Sequence, residues 1–226
     1  MQVTEIYRSI QGESSYTGLP CIFVRLTGCN LRCSWCDSEY TFTGGRRMSA
    51  DDVMSAVSGC GPARLVEITG GEPMLQDREL LPLMRRLLDA GYTVLLETSG
   101  ERPLGDVPRA AIKIVDVKCP GSGEGGTFNM QNLDALGPSD EVKFVLADRA
   151  DYEFARDFAR THRLAQQVHS VIFSPAFAKD AAGSRDSSHC LLDPRELTEW
   201  ILQDGLNVRL GLQIHKFIWD PATKGV

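Results

Sequence analysis

Cys29, Cys33 and Cys36 stand in one short stretch, Cys29-Asn30-Leu31-Arg32-Cys33-Ser34-Trp35-Cys36, at successive spacings of four and three positions. Three thiols on a loop that short can converge on one metal centre. Thiolates are the ligands of iron-sulfur clusters, and three of them hold three irons of a 4Fe-4S cube while the fourth iron keeps no protein ligand. An open iron is a reactive site. The competing reading is a structural zinc knuckle, which needs four closed ligands, and no fourth Cys or His lies near this loop downstream. Cys21 is the nearby spare thiol. It lies in the apolar run Cys21-Ile22-Phe23-Val24-Arg25-Leu26, which reads as a buried strand and places this thiol in the core.

The elements that must carry this loop fit one domain, 1–226, long enough to bury a substantial core. A net charge of −6 argues against a nucleic-acid or membrane partner, since either needs clustered Lys and Arg. The start, Met1-Gln2-Val3-Thr4-Glu5, lacks a signal-peptide pattern, and no apolar run approaches a membrane span, so a cytoplasmic protein is expected. Seven Cys, three clustered and four scattered, fit reduced thiols rather than a disulfide framework.

Val3 to Ser9 reads as a short strand running into the polar, Gly-containing loop Ser9-Ile10-Gln11-Gly12-Glu13-Ser14. Arg25 is the one charge in the strand that follows, and a buried guanidinium must find an acceptor-rich partner, for which a bound carboxylate would serve. Ser49-Ala50-Asp51-Asp52 is an N-cap for a helix to about Ser58. The strand Leu65 to Thr69 breaks at Gly70-Gly71-Glu72-Pro73, where two glycines can let a ligand approach and Glu72 can receive a cationic amine. A helix from about Asp77 to Asp89 leads to the strand Tyr92 to Leu96, ending in Glu97-Thr98-Ser99-Gly100. Further strands are expected over Ala111 to Lys118, Val142 to Leu146 and Val171 to Ser174, with helices over Ala150 to Leu164 and Pro194 to Leu202. Pro103 and Pro108 break the crossover after Glu97, and Gly121 to Gly126 is too Gly-rich for a helix. Alternating strands and helices with polar residues at strand C-terminal ends describe an α/β fold with a parallel barrel. Six barrel strands can be counted, and Asn207 to Gln213 reads as an additional strand delivering Gln213-Ile214-His215-Lys216.

Just after a strand, this CxxxCxxC spacing resembles the signature of the radical S-adenosylmethionine (SAM) superfamily, and Gly70-Gly71-Glu72-Pro73 resembles its SAM-amine-binding motif. The resemblance implies a partial, abbreviated (β/α)6 barrel with an N-terminal strand and a C-terminal extra strand. It also implies that SAM chelates the open iron and is split by an electron from the cluster, giving a radical that takes a hydrogen from substrate. Over nearly the whole chain the sequence is similar to the 7-carboxy-7-deazaguanine synthase family. The likeness rests on Ile10-Gln11-Gly12-Glu13, Phe23-Val24-Arg25, Trp35-Cys36-Asp37-Ser38, Thr69-Gly70-Gly71-Glu72-Pro73, Glu97-Thr98, Asp116-Val117-Lys118, Gln213-Ile214-His215-Lys216 and the ending Lys224-Gly225-Val226. Ser38 stands where many members have Thr, and Ser14 where Gly often follows.

That family contracts the ring of 6-carboxy-5,6,7,8-tetrahydropterin to 7-carboxy-7-deazaguanine with loss of ammonia, in queuosine and 7-deazapurine biosynthesis. By resemblance, Trp35, Asp37, Ser38, Gly71, Glu72, Glu97, Asp116, Lys118 and Ser174 serve the cofactors, Ser38 as a ligand of a Mg2+ ion. Ile10, Gln11, Gly12, Arg25, Thr69 and the carboxylate of Val226 serve the pterin substrate. A flavodoxin-type or ferredoxin-type reductant and a homodimer are expected with it. Two alternatives stay open: an activase for a glycyl-radical enzyme, which would share the cysteines and an Asp-Val-Lys strand end, and a non-catalytic iron-sulfur electron carrier, which would need a fourth Cys ligand.

Overall fold

The computed structural model describes residues 1–179, 185–221 and 223–226. Among them, nine strands form one sheet in the order β3-β1-β2-β4-β5-β6-β7-β8-β9. Strands β1 (Gln2–Ile10) and β2 (Pro20–Leu26) pair antiparallel, and the two-residue β3 (Arg46–Arg47) adds to the outer edge of β1. From β2 onward the sheet is parallel through β4 (Leu65–Gly70), β5 (Thr93–Thr98), β6 (Ile112–Asp116), β7 (Glu141–Leu146), β8 (Ser170–Pro175) and β9 (Arg209–Leu210).

Helix α1 (Ala50–Gly59) starts on a capping box, in which Ser49 accepts from the Asp52 amide while the Asp52 carboxylate accepts from the Ser49 amide. In α2 (Asp77–Asp89), Leu80, Leu83, Met84 and Leu87 recur at one-face spacing and are all fully buried. Helices α3 (Arg149–Thr161), the short α4 (Leu164–Gln167) and α5 (Pro194–Asp204) follow β7 and β8, and α6 (His215–Ile218) is a single turn near the C-terminus. The crossovers β5 to β6 and β6 to β7 carry no α-helix, as their Pro and Gly content implies; the second holds only 3-10 turns at Pro120–Ser122 and Met130–Ala135. The six expected barrel strands are therefore β2 and β4 to β8, and β1 is the expected N-terminal strand.

Two elements differ from expectation. Strand β3 is too short to leave a periodic signal. The C-terminal strand is confined to Arg209–Leu210 rather than Asn207 to Gln213, because at Gly211 the chain crosses onto β8 so closely that a Cβ there would sit 2.6 Å from Ile172 Cγ2.

Period-two alternation sorts each central strand into two faces. Val66, Ile68, Val94, Leu96, Val115, Val142, Phe144, Val171 and Phe173 join the helices in the large core, whereas Cys21, Phe23, Leu65, Leu95, Ile112 and Ile114 form a second cluster that closes the N-terminal end of the sheet's concave face. Two residues further along those same inward faces the side chains turn polar: Arg25, Glu67, Glu97 and Asp116, joined by Lys143. A polar pocket thus lies over an apolar floor, at the strand C-terminal ends where parallel barrels place their sites. No helix among the described residues is long and apolar enough to cross a membrane.

Candidate active site

The cysteine loop leaves β2 and is fixed from two sides. The Gly28 amide donates to the Thr41 carbonyl at 2.7 Å, and the Gly28 carbonyl accepts from the Glu72 amide at 2.8 Å. On the far side the Ser34 amide donates to the Ser122 carbonyl at 2.9 Å, and the Arg32 guanidinium lies 4.2 Å from the Phe42 ring centroid. A Cβ on Gly71 would stand 2.2 Å from the Gly28 oxygen and 2.7 Å from Cys29 Cβ, and one on Gly70 would stand 2.4 Å from the Leu26 oxygen. Gly71 therefore admits the protein's own cysteine loop and Gly70 the end of β2, and both line the pocket. Cys29, Cys33 and Cys36 are each half-buried and line one pocket. Burial raises all three thiols, Cys33 to about 11 despite the nearby Lys118.

That pocket is lined by every residue expected from the sequence except Ser174. Ser174 is buried on β8 beneath the crossing chain, its Cβ 3.7 Å from where a Gly211 Cβ would stand, and it lies outside the pocket lining. Glu72 lines the pocket and is held within the chain. Its Oε1 accepts from the Met74 amide (3.0 Å) and Thr98 Oγ1 (2.7 Å), and its Oε2 from the Ser99 amide (2.9 Å) and Ser99 Oγ (2.6 Å). Each oxygen holds two donors from the chain. Glu72 thus binds the end of β5 to the turn after β4. Asp116 is the opposite case: Oδ2 accepts from Lys118 Nζ at 2.7 Å, while Oδ1 is buried in the pocket wall with no partner.

Arg25 donates to Glu5 Oε1 and to the Tyr7 hydroxyl, both at 2.9 Å, so the anion expected of it is found within the chain, although its guanidinium still lines the pocket. The Gln11 carboxamide is likewise occupied. Its oxygen accepts from the amides of Glu13 (2.8 Å) and Ser14 (2.9 Å), and its nitrogen donates one of its two N–H groups to Glu67 Oε2 (2.9 Å). Gly12 has a packing reason, since a Cβ there would lie 2.3 Å from His215 Nδ1. Asp37 pairs with Lys216 at 2.7 Å and accepts from Ser38 Oγ at 2.9 Å, tying the cysteine loop to α6. Loss of water opposes the Asp37 charge, but Lys216 and Ser38 outweigh it and hold the carboxyl well below its usual range. Lys224 Nζ lies 4.5 Å from the Tyr40 ring centroid, and Gly225 and Val226 line the same pocket as Ile10.

Sequence reading missed the buried charges beneath these groups. Lys143 of β7, 3% exposed, pairs with Glu13 at 2.6 Å, with Glu97, and at 3.9 Å with Asp116; Gln213 donates to Glu13 at 2.9 Å. Burial works against the charge on Glu13, but Lys143 and then His215 pull its carboxyl down. Glu67 of β4 is 2% exposed and is raised well above the usual range, first by burial and then by Glu97. The missed signal was a charge inside an apolar strand, alone in Leu65 to Gly70 as it is around Arg25, and paired with Glu141 at the strand start in Glu141 to Leu146.

The sequence pattern of the Radical SAM superfamily matches residues 23–169. Over 226 residues the chain is 70% identical to a 7-carboxy-7-deazaguanine synthase of Koribacter versatilis (strain Ellin345), with 100% of each covered. The chain belongs to the 7-carboxy-7-deazaguanine synthases of the radical SAM superfamily. A second member, from Chlorobaculum tepidum, is 40% identical over 229 residues, covering 100% of this chain and 97% of its own. The crystal structure of QueE from Escherichia coli shares the fold, with a TM-score of 0.74 at 24% identity, over 93% of this chain and 92% of that one. The superfamily pattern stops before the 209–226 segment, which only the full-length relatives cover.

As a radical SAM enzyme the chain takes a 4Fe-4S cluster and SAM, and its residues fit both. Among the described residues no three His, Cys, Asp or Glu side chains close on a single point. A cube gives each thiolate its own iron, which suits three thiols set along one loop of one pocket. The unpartnered Asp116 Oδ1 offers a buried acceptor to a hydroxyl or ammonium of a ligand in the same pocket.

Proposed function

We propose that the chain is a carbon-nitrogen lyase that contracts the ring of 6-carboxy-5,6,7,8-tetrahydropterin to 7-carboxy-7-deazaguanine with loss of ammonia, in 7-deazapurine (queuosine) biosynthesis. The observation that carries this reading is the continuity of one pocket from the three thiols to Arg25, the Gln11 loop and Val226, in a chain alike over its full length to the named synthases. When bound, the cluster and SAM supply a carbon radical that removes a hydrogen atom from substrate. The rest is the work of the chain's own groups. Cys29, Cys33 and Cys36 hold the cluster, with Trp35 packed beside them. Asp116 and Lys118 orient SAM, the first through its free oxygen. Arg25 keeps donors beyond those it gives Glu5 and Tyr7 and takes the substrate carboxylate, with Ile10, Gly12, Thr69 and Val226 around the ring. The same reading carries a single domain over 1–226, a homodimer, a flavodoxin-type or ferredoxin-type reductant and a place in the cytoplasm.

Anaerobically reconstituted protein given SAM, dithionite and the carboxytetrahydropterin is expected to yield 7-carboxy-7-deazaguanine and ammonia in equal amounts with SAM regenerated. An electron carrier would form no 5'-deoxyadenosine under any condition. A glycyl-radical activase would cleave SAM yet leave the pterin untouched.

Mg2+ completes the proposed site through Ser38, whose hydroxyl donates to Asp37 and so keeps its oxygen lone pairs for a cation. Removing Mg2+ is expected to slow turnover, and Ser38→Ala to weaken the Mg2+ requirement by roughly 10-fold or more in affinity, as for loss of other metal-supporting groups. An unchanged Mg2+ titration in Ser38→Ala removes the ligand from the scheme. Deleting Gly225 and Val226 is expected to raise the KM for the pterin while SAM cleavage without substrate persists; an unchanged KM makes the segment a bystander.

A further inference from the structure

Two carboxyl groups meet at the base of the pocket. Glu67 on β4 stands opposite Leu95 on β5, so Glu97, two residues on, is its diagonal neighbour across the strand pair and on the same inward face. A carboxyl buried with no ion-pair partner keeps its proton, because burial disfavours the charged form, and Glu67 is 2% exposed. The surroundings place it. Lys143 serves Glu13, Glu97 and Asp116, whereas among the described residues no cation pairs with Glu67, whose hydrogen-bond partner is the neutral Gln11 amide. The remaining charged and titratable groups that face it are Arg25, its diagonal neighbour on β2, whose guanidinium is turned to Glu5 and Tyr7, with Glu13 from the loop after β1, Tyr7 of β1 and Cys21 of β2. Two ionised carboxylates facing each other on adjacent strands of a buried site, with one cation between three claimants, repel strongly, so the pair keeps a single proton. Glu97 is the partly exposed member at the pocket wall, and Glu67 lies behind it.

We propose that the Glu67–Glu97 pair is the acid and base of the amine-loss step, Glu97 meeting the substrate and Glu67 acting through it as the proton store. The proposal rests on the ring-contracting reading given above. That reaction expels a ring nitrogen as ammonia and must form a ring double bond without net oxidation. The pair can do both halves. The carbon–nitrogen bond breaks with its electrons going to nitrogen, which takes the pair's proton and leaves as NH3. The neighbouring carbon then gives up its hydrogen as a proton to the carboxylate just formed, and that carbon–hydrogen pair becomes the double bond. One proton leaves the pair and one returns, so no oxidant, reductant or outside acid is consumed.

The test uses Glu67→Gln in the reconstituted holoenzyme with SAM, dithionite and C6-deuterated carboxytetrahydropterin. The amide keeps the size and the hydrogen-bonding oxygen but cannot trade a proton. Product release is expected to fall on the order of 100-fold, with a species of substrate mass, the ring-contracted amine, accumulating in quenched samples. Deuterium transfer to the SAM-derived carbon should fall far less. Product formation by the wild type should decline as pH rises through the titration of the pair, and that limb should vanish in the variant. A wild-type rate and pH profile in Glu67→Gln overturns the proposal, as does an equal loss of deuterium transfer, which would mark Glu67 as merely structural. Should the variant fail to fold, the infrared spectrum of the wild type decides: a protonated carboxyl band must persist above pH 7, and its absence refutes the shared proton. A wild type that makes no deazaguanine at all fails the ring-contracting reading instead.

Discussion

Replacing Cys29, Cys33 or Cys36 by Ala abolishes both the visible absorption of the reconstituted cluster and all turnover, whereas Cys60→Ala leaves both in place. The expectation follows from position. The three thiols share a pocket on a loop tied at Gly28 and Ser34, while Cys60 caps the far end of α1, outside the pocket lining. Two thiolates cannot retain a cube against loss of a corner, and without the cluster no electron reaches SAM. The effect is complete rather than graded, because it removes the radical source. Iron and sulfide content measured with absorption separates this from a folding defect, since an apo protein with an unchanged circular dichroism spectrum is the expected state. Stoichiometric iron and sulfide in Cys33→Ala would overturn the ligand set, and tight stoichiometric zinc in anaerobically purified wild type would restore the zinc knuckle.

Lys143→Met carries the largest expected stability loss. The ammonium is 3% exposed and is the one group within 4 Å that offsets Glu13, Glu97 and Asp116 together. Removing one partner of a buried ion pair leaves an uncompensated charge and costs about 3–5 kcal/mol. Domains of this kind are stable by only about 5–15 kcal/mol, so the urea midpoint of the cluster-free protein should fall steeply with little change in slope. Protons taken up by the stranded carboxyls will recover part of the loss at lower pH, so the deficit should widen from pH 5 to pH 8. The double variant Lys143→Met with Glu97→Gln should regain part of the stability and none of the activity. A loss below about 1 kcal/mol at pH 8 would show that water reaches the network and that the charges are not buried together in solution.

The sequence by itself determined the chemistry and the scaffold. Both are local properties: thiols spaced four and three apart, strand runs that alternate every second residue, helix faces repeating every three or four, and Pro and Gly where two crossovers lose their helices. The extent of α2 was legible to the residue at Asp77–Asp89, because its cap and its apolar face lie within one short window. What only the tertiary structure decided was which polar group answers which. Glu72 is bonded by Thr98 and Ser99, 26 and 27 residues on, and the Gln11 amide by Glu67, 56 residues on. Lys143 meets Glu13 across 130 residues and Gln213 meets Glu13 across 200. No periodicity reaches that far. A buried donor or acceptor must be satisfied by whatever the folded sheet brings beside it, so the occupancy of each polar group, the place of Ser174 outside the pocket lining and the shared proton of Glu67 and Glu97 are properties of the assembled sheet rather than of any stretch of chain.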